Sequence, residues 1–473
     1  MAKTRQYIAT QRLPVSVETA FNYHDRQGAL NRLIPPWESV SIESSDGSLE
    51  VGSRVILRTS LSGIPLRWVA EHTDYQPPHR FCDRQVSGPF AKWQHRHSFS
   101  AINESDEASV SQLSDHIEYQ LPFGWLGDAL GAATARKTIE AMFSYRHRIT
   151  QEDLQLYANH DRAPLRVAVS GSSGLVGGSL VGMLGLFGHH VHPIVRGEAR
   201  NARDEAPWSD SVKDQTLENM DAVVHLAGKS IASGRWNKAL KEEIRESRVE
   251  KTKRLCELLA TRERPPKVLI CASATGIYGT RGDECLDENS APGSIAKDGC
   301  GFLTDVGAQW EDACRPAVDA GIRVVHARFG IILSPKGGAL QKMLTPAKLL
   351  GGALGSGKQW WSWISLDDAI GALYHCIQTD SLHGPVNLVS PNPIQNRDFV
   401  KELGRSIGRP AIFPAPAPFL RAALGEMADA LLLSSTRVIP NKLMESNYSF
   451  RFTELSDFFR YTLGRSLKSS EPS

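Results

Sequence analysis

The sequence predicts an α/β protein: a doubly wound parallel sheet with a small helical C-terminal domain, preceded by a separate α+β domain. Three observations carry this prediction. A glycine-punctuated strand, turn and helix begin at Leu165. Near-continuous apolar strands alternating with helical stretches follow it, and shorter stretches of period-two alternation precede it. At 473 residues the chain exceeds what one core sustains, so domains are expected over 1–152, 164–405 and 406–467.

From the N-terminus, Tyr7 to Leu13 reads as a strand and Ser16 to Tyr23 as a short helix. Alternating stretches follow at Ser53–Thr59, Leu66–His72, Phe81–Val86, Trp93–Phe99 and Ser109–Tyr119. Ala132 to Arg146 reads as a helix with Ile139, Met142 and Phe143 on one face. The order fits a curved antiparallel sheet wrapped around one long helix. Gln151 to Pro164 is polar, ends in proline and reads as a linker.

Leu165 to Val169 then runs as a strand into Ser170-Gly171-Ser172-Ser173-Gly174-Leu175-Val176-Gly177. Gly171 suits a tight turn, Gly174 lets backbone approach a phosphate, and Gly177 allows the helix to pack on the strand. Leu180, Val181, Leu184 and Phe187 recur at helical spacing, Gly188 suits a C-cap, and a second strand ends at Arg196. Such a unit holds a dinucleotide pyrophosphate against the helix amide dipoles. Ala222–Gly228, Lys267–Ser273 and Arg323–Arg328 read as parallel strands buried on both faces. Asn237 to Arg262 reads as one helix with a solvated charged face. Asp367 and Asp368 read as capping residues, and Trp360, Trp361 and Trp363 either as a cover over the pocket or as glue to the C-terminal segment.

Composition narrows the function. A formal net charge of +2 argues against a dedicated nucleic-acid or membrane-surface binder. No stretch of about twenty apolar residues and no leader-like N-terminus is found, so a cytoplasmic chain without membrane insertion is expected. Seven scattered cysteines without a Cys-x-x-Cys pair read as reduced thiols. His95 and His97 share one strand face, but no third ligand stands at a diagnostic spacing, so the pair reads as hydrogen-bonded lining and no metal is expected. Trp37, Trp68, Phe90 and Trp93 read as core.

Two resemblances add to this reading. Arg32–Trp37, Phe81–Phe90, Trp93, His95, His97 and Tyr119–Gly124 resemble the START/polyketide-cyclase-like (SRPBCC) domain, the helix-grip fold, over about 1–150. The resemblance implies an apolar cavity for a hydrophobic ligand. From about 165 to 465 the chain resembles the atypical extended short-chain dehydrogenase/reductases, the nucleoside-diphosphate-sugar-epimerase-like branch, some of whose members carry a cell division inhibitor label. The motifs are Gly171, Gly174 and Gly177; His225–Gly228; Gly234–Trp236; Glu246–Val249; Ser273–Gly279; Gly355–Trp360; Ser362–Ile364; and the tail motifs Gly425–Ala430 and Val438–Leu443. It implies a Rossmann domain with a short C-terminal domain.

Cofactor-binding candidates are therefore Gly171, Ser172, Ser173, Gly174, Leu175, Val176, Gly177, Arg196, Leu226, Ala227, Gly228, Ser273 and Arg328. Arg196, with Arg200 and Arg203 nearby, stands where an acidic residue would select NAD(H), so NADP(H) is favoured even though Glu198 is close. Chemistry is less legible. The resemblance calls for a tyrosine followed four residues later by a lysine, yet none of the ten tyrosines has one, and Phe302–Glu311 stands in that helix. Ser273 occupies the hydrogen-bonding serine position, and three accounts remain. Tyr278 serves as an alternative acid or packs structurally; Lys229 or Arg235 polarises a substrate oxygen; or the chain binds NADP(H) without redox chemistry, as a sensor or scaffold whose N-terminal domain holds a hydrophobic ligand. The leading expectation is an epimerase- or oxidoreductase-like protein acting on a small-molecule substrate.

Overall fold

The computed structural model describes residues 3–61, 63–102, 110–161, 163–195, 206–207, 217–293 and 301–464. The chain divides into two compact units, one formed by residues up to Ala163 with Gly185–Gly188 and the segment from Gly464, the other by Pro164–Leu184 and His189–Leu463.

In the first unit the order is β1 (Arg5–Leu13), α1 (Val17–Asp25), α2 (Ala29–Leu33), β2 (Ser41–Ser45), β3 (Arg54–Leu61), β4 (Ile64–Gln76), β5 (Arg80–Ser87), β6 (Lys92–Ala101), β7 (Ser111–Gln120) and α3 (Gly124–Ala158). The strands form one antiparallel sheet in the order β1-β7-β6-β5-β4-β3-β2. Strict alternation of buried and half-buried residues along β7 gives the sheet one dry face. Trp93, Ile117 and Tyr119 from that face pack with Ile139 and Phe143 of α3, and Trp68 and Phe90 close the cluster. The expected sheet and long helix are both present. Helix α3 is longer than the sequence suggested, because residues 151–158, read as linker, continue it. Asp153 explains the misreading: it is a charged residue that is fully buried, accepting from Arg32 Nε and Nη2 and from the Tyr23 hydroxyl, each at 2.8 Å. A polar pattern thus conceals a packed turn.

The second unit opens with β8 (Arg166–Ser170), α4 (Leu175–Leu186), β9 (His190–Val195), β10 (Ala206–Pro207) and β11 (Ala222–His225). It continues through α5 (Lys238–Glu246), α6 (Val249–Ala260), β12 (Val268–Ala274), β13 (Cys285–Leu286), α7 (Gly301–Asp312), α8 (Arg315–Asp319) and β14 (Arg323–Phe329). The sheet order is β10-β9-β8-β11-β12-β14, completed by the strand Gly384–Leu388, and every pairing is parallel. In sequence rank this is 3-2-1-4-5-6-7, a doubly wound sheet whose direction of winding reverses between β8 and β11. Val167–Val169, Ala222–Val224 and Leu269–Ile270 are fully buried, as strands covered on both faces must be.

The helix expected over 237–262 is two helices broken at Ser247 and Arg248. The break has a local cause. Ser247 Oγ accepts from the Lys229 amide at 3.0 Å, and Arg248 Nη1 donates to the Lys229 carbonyl at 2.9 Å, so the junction grips the loop after β11. The helix Leu366–Gln378 is capped by Ser365, whose Oγ accepts from the Asp368 amide at 2.9 Å. Asp368 itself is buried and accepts from the Arg451 and Phe452 amides at 2.7 and 3.2 Å. The cap is thus Ser365 and not the aspartates, and Asp368 holds the Ser365 hydroxyl while tying down the C-terminal segment. The tryptophans act in the same sense: Trp363 is fully buried and lies 5.8 Å from Phe458, and Trp361 packs 5.2 Å from Phe399.

Candidate functional site

The residues that follow β8 and β11 meet at the point where the winding reverses. Ser170, the last residue of β8, organises both loops. Its Oγ lies 2.7 Å from His225 Nδ1 and accepts from the Leu226 and Ala227 amides at 3.2 and 3.3 Å. Gly171 turns the chain with φ +71°, and a Cβ there would stand 2.8–2.9 Å from the Leu226–Ala227 backbone. The Gly174 amide donates to the Gly171 carbonyl at 2.9 Å, closing the turn. A Cβ at Gly177 would stand 2.2 Å from that same carbonyl oxygen, so the glycine lets α4 approach the loop.

These loops border a cleft of about 880 Å³. Gly171, Ser172, Ser173, Gly174, Leu226, Ala227 and Gly228 line it, together with residues the sequence reading did not single out for this role: Ser170, Val195, His225, Ser247 and Lys251. Leu175, Val176 and Gly177 form the first turn of α4 behind the lining. Lys229 lies on the lip, its Nζ 2.6 Å from Glu243. His225 is buried, and loss of hydration lowers its pKa to about 4, which keeps the imidazole neutral at the cleft floor. Arg196, Glu198, Arg200 and Arg203 fall outside the described residues.

Ser273 and Arg328 do not line this cleft. They belong to a neighbouring polar network at the ends of β12 and β14, where the sheet register sets them opposite each other. Ser273 Oγ donates to Glu311 Oε1 at 2.7 Å, and Arg328 grips the same carboxylate through Nε and Nη2 at 2.8 and 2.7 Å. Arg328 Nη1 donates to the Tyr278 hydroxyl at 2.8 Å, and its guanidinium carbon lies 4.9 Å over the Tyr278 ring. That hydroxyl also lies 2.8 Å from Asn387 Oδ1 and 2.9 Å from the Asp287 carbonyl. Tyr278 is fully buried, and its pKa is raised because desolvation outweighs the nearby Arg328. Burial opposes the Arg328 charge, but Glu311 more than offsets it, and the pKa is raised. Glu311 thus stands on α7, the helix on which the tyrosine-lysine pair was sought, and holds Ser273 in its place. The sequence signal was available in the acidic residue ending Gln309-Trp310-Glu311, but nothing local marked its partner.

In the first unit His95 and His97 share one face, with His95 Nε2 2.9 Å and His97 Nδ1 2.7 Å from Asp115 Oδ1.

The sheet order and the glycine turn at its reversal point define a dinucleotide-binding protein of the doubly wound class. Comparison with known proteins makes this specific. The NAD dependent epimerase/dehydratase family matches residues 167–388, the polyketide cyclase/dehydrase and lipid transport family matches 13–143, and a domain of unknown function, DUF1731, matches 415–461. A Mycobacterium tuberculosis epimerase family protein, MT2273, is 40% identical over 303 residues, which cover 63% of this chain and 98% of the relative. A nucleoside-diphosphate sugar epimerase from Corynebacterium glutamicum is 31% identical with a TM-score of 0.77, over 98% of this chain and 91% of that one. The human epimerase family protein SDR39U1, solved with NADPH, is 30% identical with a TM-score of 0.59, over 64% of this chain and all of that one. The chain belongs to the NAD dependent epimerase/dehydratase family, in its atypical extended branch, and carries an N-terminal domain of the polyketide cyclase type. Among the described residues no helix is long and apolar enough to cross a membrane.

Proposed function

We propose that this protein binds NADP(H) in the cleft after β8 and β11 and acts as an epimerase- or oxidoreductase-type enzyme. The observation that carries the reading is the cleft itself, floored by Gly171–Gly174 and Leu226–Gly228 where the winding reverses. In this reading the pyrophosphate sits against Gly171, Ser172, Ser173, Gly174, Leu175, Val176 and Gly177 at the start of α4, and the nicotinamide points towards Ser273. Preference for the 2′-phosphate is supported by Arg196 immediately after β9, by the cationic Lys251 in the lining, and by the NADPH bound to human SDR39U1. A nucleoside-diphosphate sugar is the substrate class to test first, in line with the Corynebacterium glutamicum protein. The polyketide-cyclase-type domain is assigned a hydrophobic ligand. Ser273 and Tyr278 are proposed as positioning residues rather than the mobile proton donor, because one hydroxyl is committed to Glu311 and the other is buried among Arg328, Asn387 and Asp287. The same commitment favours a second reading, an NADP(H)-responsive protein without turnover.

Titration of NADPH and NADH against wild type and Arg196→Glu tests the cofactor. NADPH is expected to bind more tightly, with the preference lost on substitution; binding of neither nucleotide would overturn the reading. Stopped-flow oxidation of bound NADPH by nucleotide-sugar and simple carbonyl acceptors then separates enzyme from sensor.

A further inference from the structure

The first unit contains a buried histidine–carboxylate cluster that no dinucleotide chemistry uses. Strand pairing sets Asp83 of β5 directly opposite His95 of β6, and His97 follows two residues on, on the same face. One ligand atom each from Asp83, His95 and His97 lies within 4.8 Å of the other two. The third donor missing from the linear sequence is therefore supplied across the sheet. His95 Nδ1 lies 3.5 Å from Asp83 Oδ2, while its other nitrogen, Nε2, lies 2.9 Å from Asp115 Oδ1. Asp115 Oδ2 in turn lies 2.6 Å from His147 Nε2 of α3. One imidazole nitrogen facing a carboxylate ligand and the other anchored to a second carboxylate is the arrangement that orients a metal-binding histidine. His97 is stacked on Phe81 at 4.1 Å, and its buried Nδ1 faces Asp115 Oδ1 at 2.7 Å without the angular geometry of a hydrogen bond.

We propose that Asp83, His95 and His97 bind a divalent first-row transition ion, zinc foremost, with Asp115 and His147 orienting the ligands. Two imidazoles and a carboxylate are the donors such an ion takes, and three protein ligands leave a coordination position for water or for a ligand of this domain. Metal–donor distances near 2.0–2.1 Å bring tetrahedral ligand atoms to about 3.3 Å from one another, so the trio would contract by at most about 1.5 Å.

Cobalt(II) alone tests this on the chelator-treated full-length chain, read by visible d–d absorption, with the thermal midpoint recorded alongside. One equivalent of cobalt is expected, displaced by zinc and raising the midpoint. His97→Ala and Asp83→Asn should weaken cobalt binding more than hundredfold, and Asp115→Asn ten- to hundredfold. His190→Ala, exposed on the other unit, should change nothing. Should His97→Ala fail to fold by circular dichroism, Asp83→Asn, which keeps the side-chain shape, decides alone. Absence of cobalt absorption in wild type, or equal affinity in wild type and Asp83→Asn, overturns the proposal.

Discussion

Replacing Gly177 with alanine tests the phosphate-loop assignment most directly, because the structure fixes what the added methyl would meet. Its carbon would lie 2.2 Å from the Gly171 carbonyl oxygen, 2.7 Å from the Gly171 carbonyl carbon and 3.1 Å from Ser172 Cα. All three are backbone atoms, so no side chain can rotate away. Ordinary van der Waals separation requires the loop to retreat by about 1 Å. That retreat moves the Gly171–Gly174 turn, whose amides are the proposed pyrophosphate donors. Overpacking of this kind costs about 1–3 kcal/mol, and each 1.4 kcal/mol is tenfold in affinity, so NADPH binding should weaken about ten- to hundredfold. Gly182→Ala is the matched control. It lies on the same helix, and its methyl would meet nothing within 4 Å, so the helix should gain up to about 1 kcal/mol with affinity unchanged. Fluorescence titration of NADPH, with thermal melting of each variant, reads both quantities. Unchanged NADPH affinity in Gly177→Ala would refute the loop assignment, and equal loss in Gly182→Ala would show that the effect is not local.

Glu311→Ala should lower stability by about 3–5 kcal/mol in denaturant titration, since it strands the Arg328 guanidinium, 5% exposed, without its bidentate partner. Arg315→Ala, which breaks a largely exposed pair with Asp319, should leave the midpoint where it was. His225 contributes a pH dependence of definite sign. Its pKa is near 4 in the folded chain against 6.5 unfolded, so between those values the unfolded chain binds more protons and stability falls with falling pH. The loss starts below about pH 6.5, is complete near pH 4 and amounts to about 3 kcal/mol. His225→Gln should flatten that part of the stability–pH curve, and an unchanged slope would count against a buried neutral imidazole.

What the sequence disclosed and what it concealed follow from how far apart interacting residues lie. Gly171, Gly174 and Gly177 act within one turn and its following helix, so their spacing alone carried the geometry. The apolar strands likewise announced a sheet buried on both faces. The sequence misled where a charge is neutralised by a distant partner. Asp153 made 151–158 look like linker because Arg32, more than a hundred residues earlier, was invisible as its counter-ion. Ser247 and Arg248 break an apparently continuous helix where their side chains, besides bonding the Ile244 carbonyl of their own turn, reach out to the Lys229 backbone. Glu311 is the same case at the candidate site: on the helix it reads as a solvated acid, yet it holds Ser273 from β12 and Arg328 from β14. Asp83 completes the pattern in the other unit, since only the register of β5 against β6 sets it opposite His95. Local periodicity therefore reports the scaffold, while the groups with chemical potential are assembled by strand pairing that periodicity does not encode. The loss of the tyrosine-lysine pair accordingly does not leave an empty position. A carboxylate, a guanidinium and two hydroxyls fill that region with a network in which Ser273 is bonded to Glu311 and the Tyr278 hydroxyl to Arg328, Asn387 and Asp287, so a proton leaving either hydroxyl would first have to break one of these bonds.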